Sequence, residues 1–121
     1  MAVDLVATAL TQSGDAWAIN VTASDASGCE EMKAAPDAGT SLFLKSISID
    51  CVSAITVTIG AGETASGVTS ILIGPVPFAA TSGAPAVYTF DPPIKLAAAT
   101  SLTVDASGAG AVCIVAQGYT L

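Results

Sequence analysis

The chain has 121 residues, of which 52% are hydrophobic and only 11% charged, with a net charge of −7. This length predicts a single domain over residues 1–121, and such low charge is typical of a surface that contacts further copies or a larger assembly. Three Lys without Arg argue against nucleic-acid binding, and the absence of His removes the usual general base and metal ligand. We therefore expect neither an enzyme nor a cofactor or metal.

The N-terminus and the cysteines give expectations about the compartment. Residues 1–12 lack a basic leader and contain Asp4, so no signal peptide is predicted, and no apolar run is long enough to span a membrane. Cys29, Cys51 and Cys113 are odd in number and widely spaced. This pattern favours buried, free thiols in a protein made in the cytoplasm, with a Cys51–Cys113 disulfide as the open alternative.

Two extended segments open the chain, at residues 3–10 and 16–23. In the second, Trp17 shares a face with Ile19 and Val21, which predicts a core anchor. Ser27 and Glu30 then form a capping-box pattern, so we expect a short helical turn near residues 28–35 that ends at Pro36. Residues 1–40 belong to the domain or form a partly extended N-terminal arm.

Residues 41–60 carry the clearest pattern, two alternating stretches separated by a short reversal at 50–54. Each stretch has an apolar row opposite a row of hydroxyls, which predicts two half-buried strands paired antiparallel. The apolar rows are Phe43, Ile47 and Ile49, then Ile55, Val57 and Ile59, and the hydroxyls are Ser46, Ser48, Thr56 and Thr58.

Further strands are predicted at residues 68–73, 86–90, 94–96, 102–104 and 111–119, the last of them central and covered on both faces. Prolines that follow the first of these indicate a sheet edge or a strand end. About eight strands joined by Gly, Pro, Ser and Asp turns predict an all-β, antiparallel two-sheet sandwich of jelly-roll or other Greek-key type. An immunoglobulin-like sandwich is the alternative, weakened because no Cys pair flanks Trp17 in the expected order.

Three patterns that resemble functional sites are better explained by structural roles. Asp-Ala-Ser-Gly occurs at residues 25–28 and 105–108, and turn formation explains it better than a calcium site. Serines lack a His partner, and no Gly-x-Ser-x-Gly motif occurs. Six aromatic residues fit core packing better than a sugar-stacking platform.

Five stretches together resemble a known group of proteins: LFLKSISID at 42–50, AITVTIG at 54–60, YTFDPPIKL at 88–96, SLTVDASGAG at 101–110 and VCIVAQGYTL at 112–121. Their strand pattern and turn style are similar to small β-sandwich structural proteins of tailed bacteriophages, most of all head decoration or cement proteins. The resemblance implies a non-enzymatic homo-oligomer, often a trimer, that binds the major capsid protein. It implies a location on the outer capsid surface of the virion after synthesis in the host cytoplasm.

Two other functions stay open: a tail or head-fibre component, and a carbohydrate-binding or adhesin module. For an oligomer or shell contact, the hydroxyl-lined face of the predicted strand pair is the first candidate, because the chain is otherwise poor in charge. Its residues are Ser46, Ser48, Thr56 and Thr58.

Overall fold

The computed structural model describes residues 6–13, 15–23, 28–51, 53–63, 67–79, 85–108 and 110–121. These residues form nine strands and no helix, which confirms the all-β prediction. The strands are β1 (Val6–Ser13), β2 (Ala16–Ala23), β3 (Gly28–Lys33), β4 (Leu42–Cys51), β5 (Thr56–Glu63), β6 (Val68–Pro77), β7 (Ala86–Lys95), β8 (Leu102–Ala106) and β9 (Val112–Thr120).

The strands make two antiparallel sheets, ordered β1-β2-β9-β4-β7 and β3-β8-β5-β6. Four of the pairings are β2 with β9, β3 with β8, β4 with β7 and β5 with β6. These pairings describe one long hairpin with arms β2–β5 and β6–β9, and each arm alternates between the two sheets. β4 with β9 and β5 with β8 are the further contacts that close the sheets.

Apolar side chains from both sheets meet in one core. Trp17, Ile19 and Val21 are all buried on β2, as the alternation predicts. The final strand, β9, lies between β2 and β4 and is therefore central as predicted. Only one face of β9 is covered, however, because its residues alternate between buried and exposed from Val112 to Gly118.

β4 and β5 do not pair, contrary to the prediction for residues 41–60. β4 belongs to the five-stranded sheet and β5 to the four-stranded sheet, so the intervening residues cross between sheets. Val57 and Ile59 are fully buried as predicted, whereas Ile55 precedes β5 and is half-buried. A short crossover and a tight hairpin leave the same alternating pattern, because each strand still buries one face.

A β-bulge at Lys45 changes the facing of β4. Leu44 pairs with Gly118 and Ser46 with Gln117, so Lys45 has no partner on β9. Beyond the bulge Ile47 and Ile49 face inward, but before it Leu42 and Leu44 are the buried residues. Phe43, predicted in the buried row, therefore faces outward, because one extra residue inverts the alternation.

The predicted helical turn near residues 28–35 is wrong, because residues 28–33 form β3. β3 pairs with β8 and has a bulge between Glu31 and Lys33. Met32 packs in the core, and Cys29 is buried on the opposite face of the strand, so the two buried residues are three apart, a spacing that resembles one face of a helix. Pairing with β8 outweighs the local helix preference of this segment.

Both strands that contain prolines are sheet edges. β6, with Pro75 and Pro77, is the edge of the four-stranded sheet, which confirms the prediction for residues 68–73. β7 is the edge of the other sheet and extends through Pro92 to Lys95, so the separate short strand predicted at residues 94–96 is its last part. Proline is tolerated at these places because an edge strand leaves backbone groups outside the ladder.

Candidate functional site: an uncharged sheet face and an end cleft

The four hydroxyl residues predicted as one contact face lie on two different sheets. Ser46 and Ser48 are half-buried on the outer surface of β4. Thr56 and Thr58 are on β5, and Thr58 is only 9% exposed. The structure therefore separates the two pairs, and only Ser46 and Ser48 remain together.

Ser46 and Ser48 lie at the centre of an outer surface formed by β7, β4, β9 and β2. Directly paired residues of antiparallel strands share a face, so the registers define this surface. One row is Val87, Ser48, Val115 and Asn20, and the next is Thr89, Ser46, Gln117 and Ala18. We name these eight residues the central face. None of them carries a charge, although the whole chain has a net charge of −7.

Exposed apolar side chains flank Ser48 on the central face. Val87 is 65% exposed and Val115 is 40% exposed. Beside this row, Cys113 is exposed, with its Sγ atom 3.6 Å from the Oδ1 atom of Asn20. Exposed branched apolar residues among small polar ones are a composition suited to contact with another protein surface.

Three side chains close one end of the same surface. The rings of Phe43 and Tyr119 stack with centroids 4.7 Å apart and an interplanar angle of 10°. The Nζ atom of Lys95 lies 5.9 Å from the centroid of the Phe43 ring. This cluster borders the central face with an aromatic pair and a cation.

Four of the six aromatic residues pack in or against the core, as predicted. Trp17 is buried, and Phe78, Tyr88 and Phe90 pack against the core. Core packing is therefore confirmed for these four and wrong for Phe43 and Tyr119. Phe43 faces outward because of the bulge at Lys45, and Tyr119 because it continues the outward row of β9.

The outer surface of the four-stranded sheet is covered by the chain itself. Thr103 is fully buried there, and its hydroxyl lies 3.0 Å from the carbonyl oxygen of Gly60 and 2.9 Å from that of Gly62, so it donates to this pair. A Cβ atom on Gly60 would overlap the side chain of Val68, which shows that the β5–β6 hairpin covers this position. Thr58 is thus unavailable as a contact residue.

Burial also changes the acid–base behaviour of this surface. It raises the pKa of the Cys29 thiol to about 11, with a further contribution from the negative charges of Asp105 and Glu63. Burial likewise raises the pKa of Asp105. A thiol with so high a pKa is almost entirely protonated at neutral pH, so Cys29 is a poor nucleophile.

The other two cysteines are free thiols with different surroundings. Cys51 is buried and Cys113 is exposed. The register pairs Asp50 with Cys113 and Cys51 with Val112, so the two side chains point to opposite sides of the sheet. The structure therefore does not form the alternative Cys51–Cys113 disulfide, and the predicted burial is wrong for Cys113.

A cleft of about 600 Å³ opens at one end of the sandwich. It lies between the first residues of β2, the end of β3 with the loop that follows it, and the end of β9. Asp15, Trp17, Lys33, Asp37 and Thr120 line it. We name it the end cleft, and no pattern in the sequence singles it out.

A second, apolar groove of about 440 Å³ lies between the edge strands β6 and β7. Leu72, Val76, Tyr88 and Phe90 are among its lining residues. The rings of Tyr88 and Phe90 are parallel within 3°, with centroids 6.4 Å apart. Its lining contains no charged side chain.

The second Asp-Ala-Ser-Gly segment, predicted as a turn, includes the last two residues of β8 and a bend at Ser107 and Gly108. The Ser107 amide donates to the Thr56 carbonyl oxygen at 2.9 Å, and the Thr56 amide donates to the Ser107 side-chain hydroxyl at 2.8 Å. Residues 25–27 of the first segment lie outside the described residues. In the described part of the chain, no three His, Cys, Asp or Glu side chains cluster in a way that could hold a metal ion.

Among the residues that the structure describes, no helix has the length and apolarity to cross a membrane. No protein-family model, no curated protein and no solved structure matches the chain. The surfaces described above are therefore the basis for any functional assignment.

Proposed function

We propose that the chain is a non-enzymatic structural protein of a virion, a capsid decoration protein that binds the outer shell as a homo-oligomer. A trimer and contact with the major capsid protein are part of this proposal, which begins from the resemblance of residues 41–121 to phage decoration proteins. The observation that carries it in the structure is the central face.

Charge is the main argument for this surface. A protein with a net charge of −7 is repelled by like copies and by other acidic surfaces, and a neutral contact region avoids bringing further like charges together. The central face is neutral over eight neighbouring residues from four strands. Such a surface loses little solvation of charged groups on contact, and its small side chains permit close approach.

Strand order gives independent support for the architecture of this class. In β2–β9, four strands of one arm pair with four strands of the other, and the arms alternate between the sheets. We infer a jelly-roll arrangement from this order, with β1 added at the edge beside β2. Jelly rolls are common among viral capsid domains, but the same architecture also serves lectins and other proteins, so fold alone does not decide function.

Co-sedimentation with shells tests the proposal. Shells stripped of the protein are mixed with the purified chain and pelleted, and we expect binding that saturates at a fixed stoichiometry. Ser48→Glu places a charge between Val87 and Val115 and should weaken binding at least tenfold. Ala98→Glu, in an exposed turn away from this face, is the matched control and should bind like the original chain.

The exposed thiol provides a footprint for the same experiment. Cys113 lies beside the central face, so a maleimide should react with it more slowly in the shell-bound state than in the free protein. Failure to co-pellet would contradict the proposed function, whereas binding with unprotected Cys113 would contradict the choice of surface. Labelling of the chain on intact particles separates a head decoration from a tail or head-fibre component.

A further inference from the structure

The end cleft combines features of a small-ligand site that the proposed structural role does not use. Its volume of about 600 Å³ is within the usual range of ligand pockets. It joins residues distant in the sequence, with Asp15 and Trp17 before or on β2, Lys33 at the end of β3 and Thr120 at the end of β9. Binding sites commonly form where loops and strand ends converge on a rigid framework.

The walls of the cleft are held by hydrogen bonds within the chain. The Thr40 amide and hydroxyl both donate to the carbonyl oxygen of Asp37, at 3.1 and 2.6 Å. The Thr120 amide donates to the carbonyl oxygen of Asp15 at 2.8 Å. Both acidic residues are thus fixed through their backbones, which leaves their carboxylates available to a ligand without loosening the loop.

Trp17 is a lining residue of this cleft and carries an unsatisfied donor. Its side chain is 4% exposed, and its Nε1 atom has no hydrogen-bond acceptor among the described residues. The Nζ atom of Lys33 lies 5.7 Å from the centroid of the indole ring. A buried N–H group without an acceptor is unfavourable, so a ligand oxygen that reaches Nε1 would satisfy it.

Charge and hydrogen-bonding capacity select the class of ligand. The cleft offers donors from Trp17 and Lys33 and acceptors from the carboxylates of Asp15 and Asp37. An anion would meet two carboxylates in a chain of net charge −7, and a cation would meet Lys33. A neutral hydroxyl group avoids both conflicts, since each O–H donates to a carboxylate and accepts from the indole or the ammonium.

We propose that the end cleft binds a neutral, hydroxyl-rich ligand, a short saccharide, through Trp17, Lys33 and the carboxylates of Asp15 and Asp37. This site differs from a platform of exposed aromatic rings, because Trp17 acts as a hydrogen-bond donor from a buried position. The proposal is independent of shell binding and of the oligomeric state.

Because Trp17 is the single tryptophan of the chain, its indole N–H resonance and emission can be assigned to this residue without ambiguity. The experiment titrates ¹⁵N-labelled protein with glucose, galactose, N-acetylglucosamine and their disaccharides, and follows the indole N–H resonance and the tryptophan emission. We expect at least one sugar to produce a saturable downfield shift of the indole proton. Sodium acetate is the anionic comparison and should leave the resonance unchanged.

Variants assign the binding to the cleft. Asp37→Asn and Lys33→Met each remove one charged hydrogen-bonding group and should weaken the saccharide about tenfold or more. Asp91→Asn and Lys95→Met make the same changes outside the cleft and should bind like the original chain. The indole resonance of every ligand-free variant also shows whether the surroundings of Trp17 are preserved.

Three results would overturn the proposal. One is the absence of any indole shift with the whole sugar panel at tens of millimolar. Another is saturable binding of acetate in preference to every sugar. The third is a sugar affinity that Asp37→Asn and Lys33→Met leave unchanged.

Discussion

Val57→Asp tests whether the apolar face of β5 packs into the core. Val57 is fully buried on β5, where it pairs with Ala106 of β8 and Val76 of β6. The aspartate side chain would enter the core formed by both sheets. We expect this variant to be unable to fold at neutral pH.

The magnitude follows from two losses. Removing a fully buried valine side chain forfeits about 1.5–3 kcal/mol of hydrophobic stabilisation. An ionised carboxylate without a partner in the core costs several kcal/mol more even after relaxation. Their sum is comparable with the whole free energy of unfolding of a domain, about 5–15 kcal/mol.

Thermal and denaturant unfolding followed by circular dichroism measure the effect. Val57→Thr is a graded companion, since it keeps the shape but buries a hydroxyl, at about 1–3 kcal/mol. For 121 residues, 1 kcal/mol corresponds to about 4 °C, so we expect melting to fall by roughly 4–12 °C. Thr69→Asp, on the exposed part of β6, is the control and should melt within about 2 °C of the original chain.

Ile55→Asp is the comparison variant, because it introduces the same carboxylate two residues before Val57 at a less buried position. Ile55 is half-buried and precedes β5, so a carboxylate there can reach water and should be tolerated better than at position 57. A soluble Val57→Asp protein with a cooperative transition near that of Thr69→Asp would show that the facing of β5 is wrong.

Three further predictions concern single groups. A maleimide at pH 7.5 should label Cys113 rapidly and Cys29 only after unfolding, because Cys29 is buried and its pKa is raised to about 11; mass spectrometry of the labelled peptides distinguishes them. Burial raises the pKa of Asp105 above its ordinary value of 3.8, so the folded state binds the proton more tightly and stability should fall as pH rises from about 3.8 through the folded pKa. Asp105→Asn should remove this decrease, and denaturant unfolding at pH 3 to 7 measures it. Gly118→Ala should destabilise the chain by about 1–3 kcal/mol, because a Cβ atom there would overlap the Phe43 carbonyl oxygen; a melting temperature unchanged within about 2 °C would contradict this contact.

Local patterns predict most of the strands because alternation depends only on residues close in sequence. β2 is recovered with its full extent, and Trp17 is correctly assigned to the core. Two of the failures, the facing of Phe43 and the helical turn near residues 28–35, coincide with bulges. At Lys45 and between Glu31 and Lys33, one extra residue inverts the facing, and neither bulge has a clear local signature.

For the candidate surfaces, too, the sequence predicts the facing of single residues but not their neighbours from other strands. Alternation correctly gives Ser46 and Ser48 a polar, outward position on β4. It cannot show that Val87 and Val115 lie beside Ser48, because these neighbours come from β7 and β9. The end cleft is further from prediction, since its residues range from Asp15 to Leu121 and come from strands of both sheets that are distant in the sequence.

The sequence by itself determined that this protein is an antiparallel β-sandwich with a buried Trp17, an acidic and lightly charged surface, and neither Arg nor His. Tertiary structure decided which sheet each strand joins, so it separated Ser46 and Ser48 from Thr56 and Thr58. It also decided which side chains form the central face and the end cleft. The physical reason is that side-chain alternation is a local property of the backbone, whereas strand partners and strand ends are brought together only when distant segments pack.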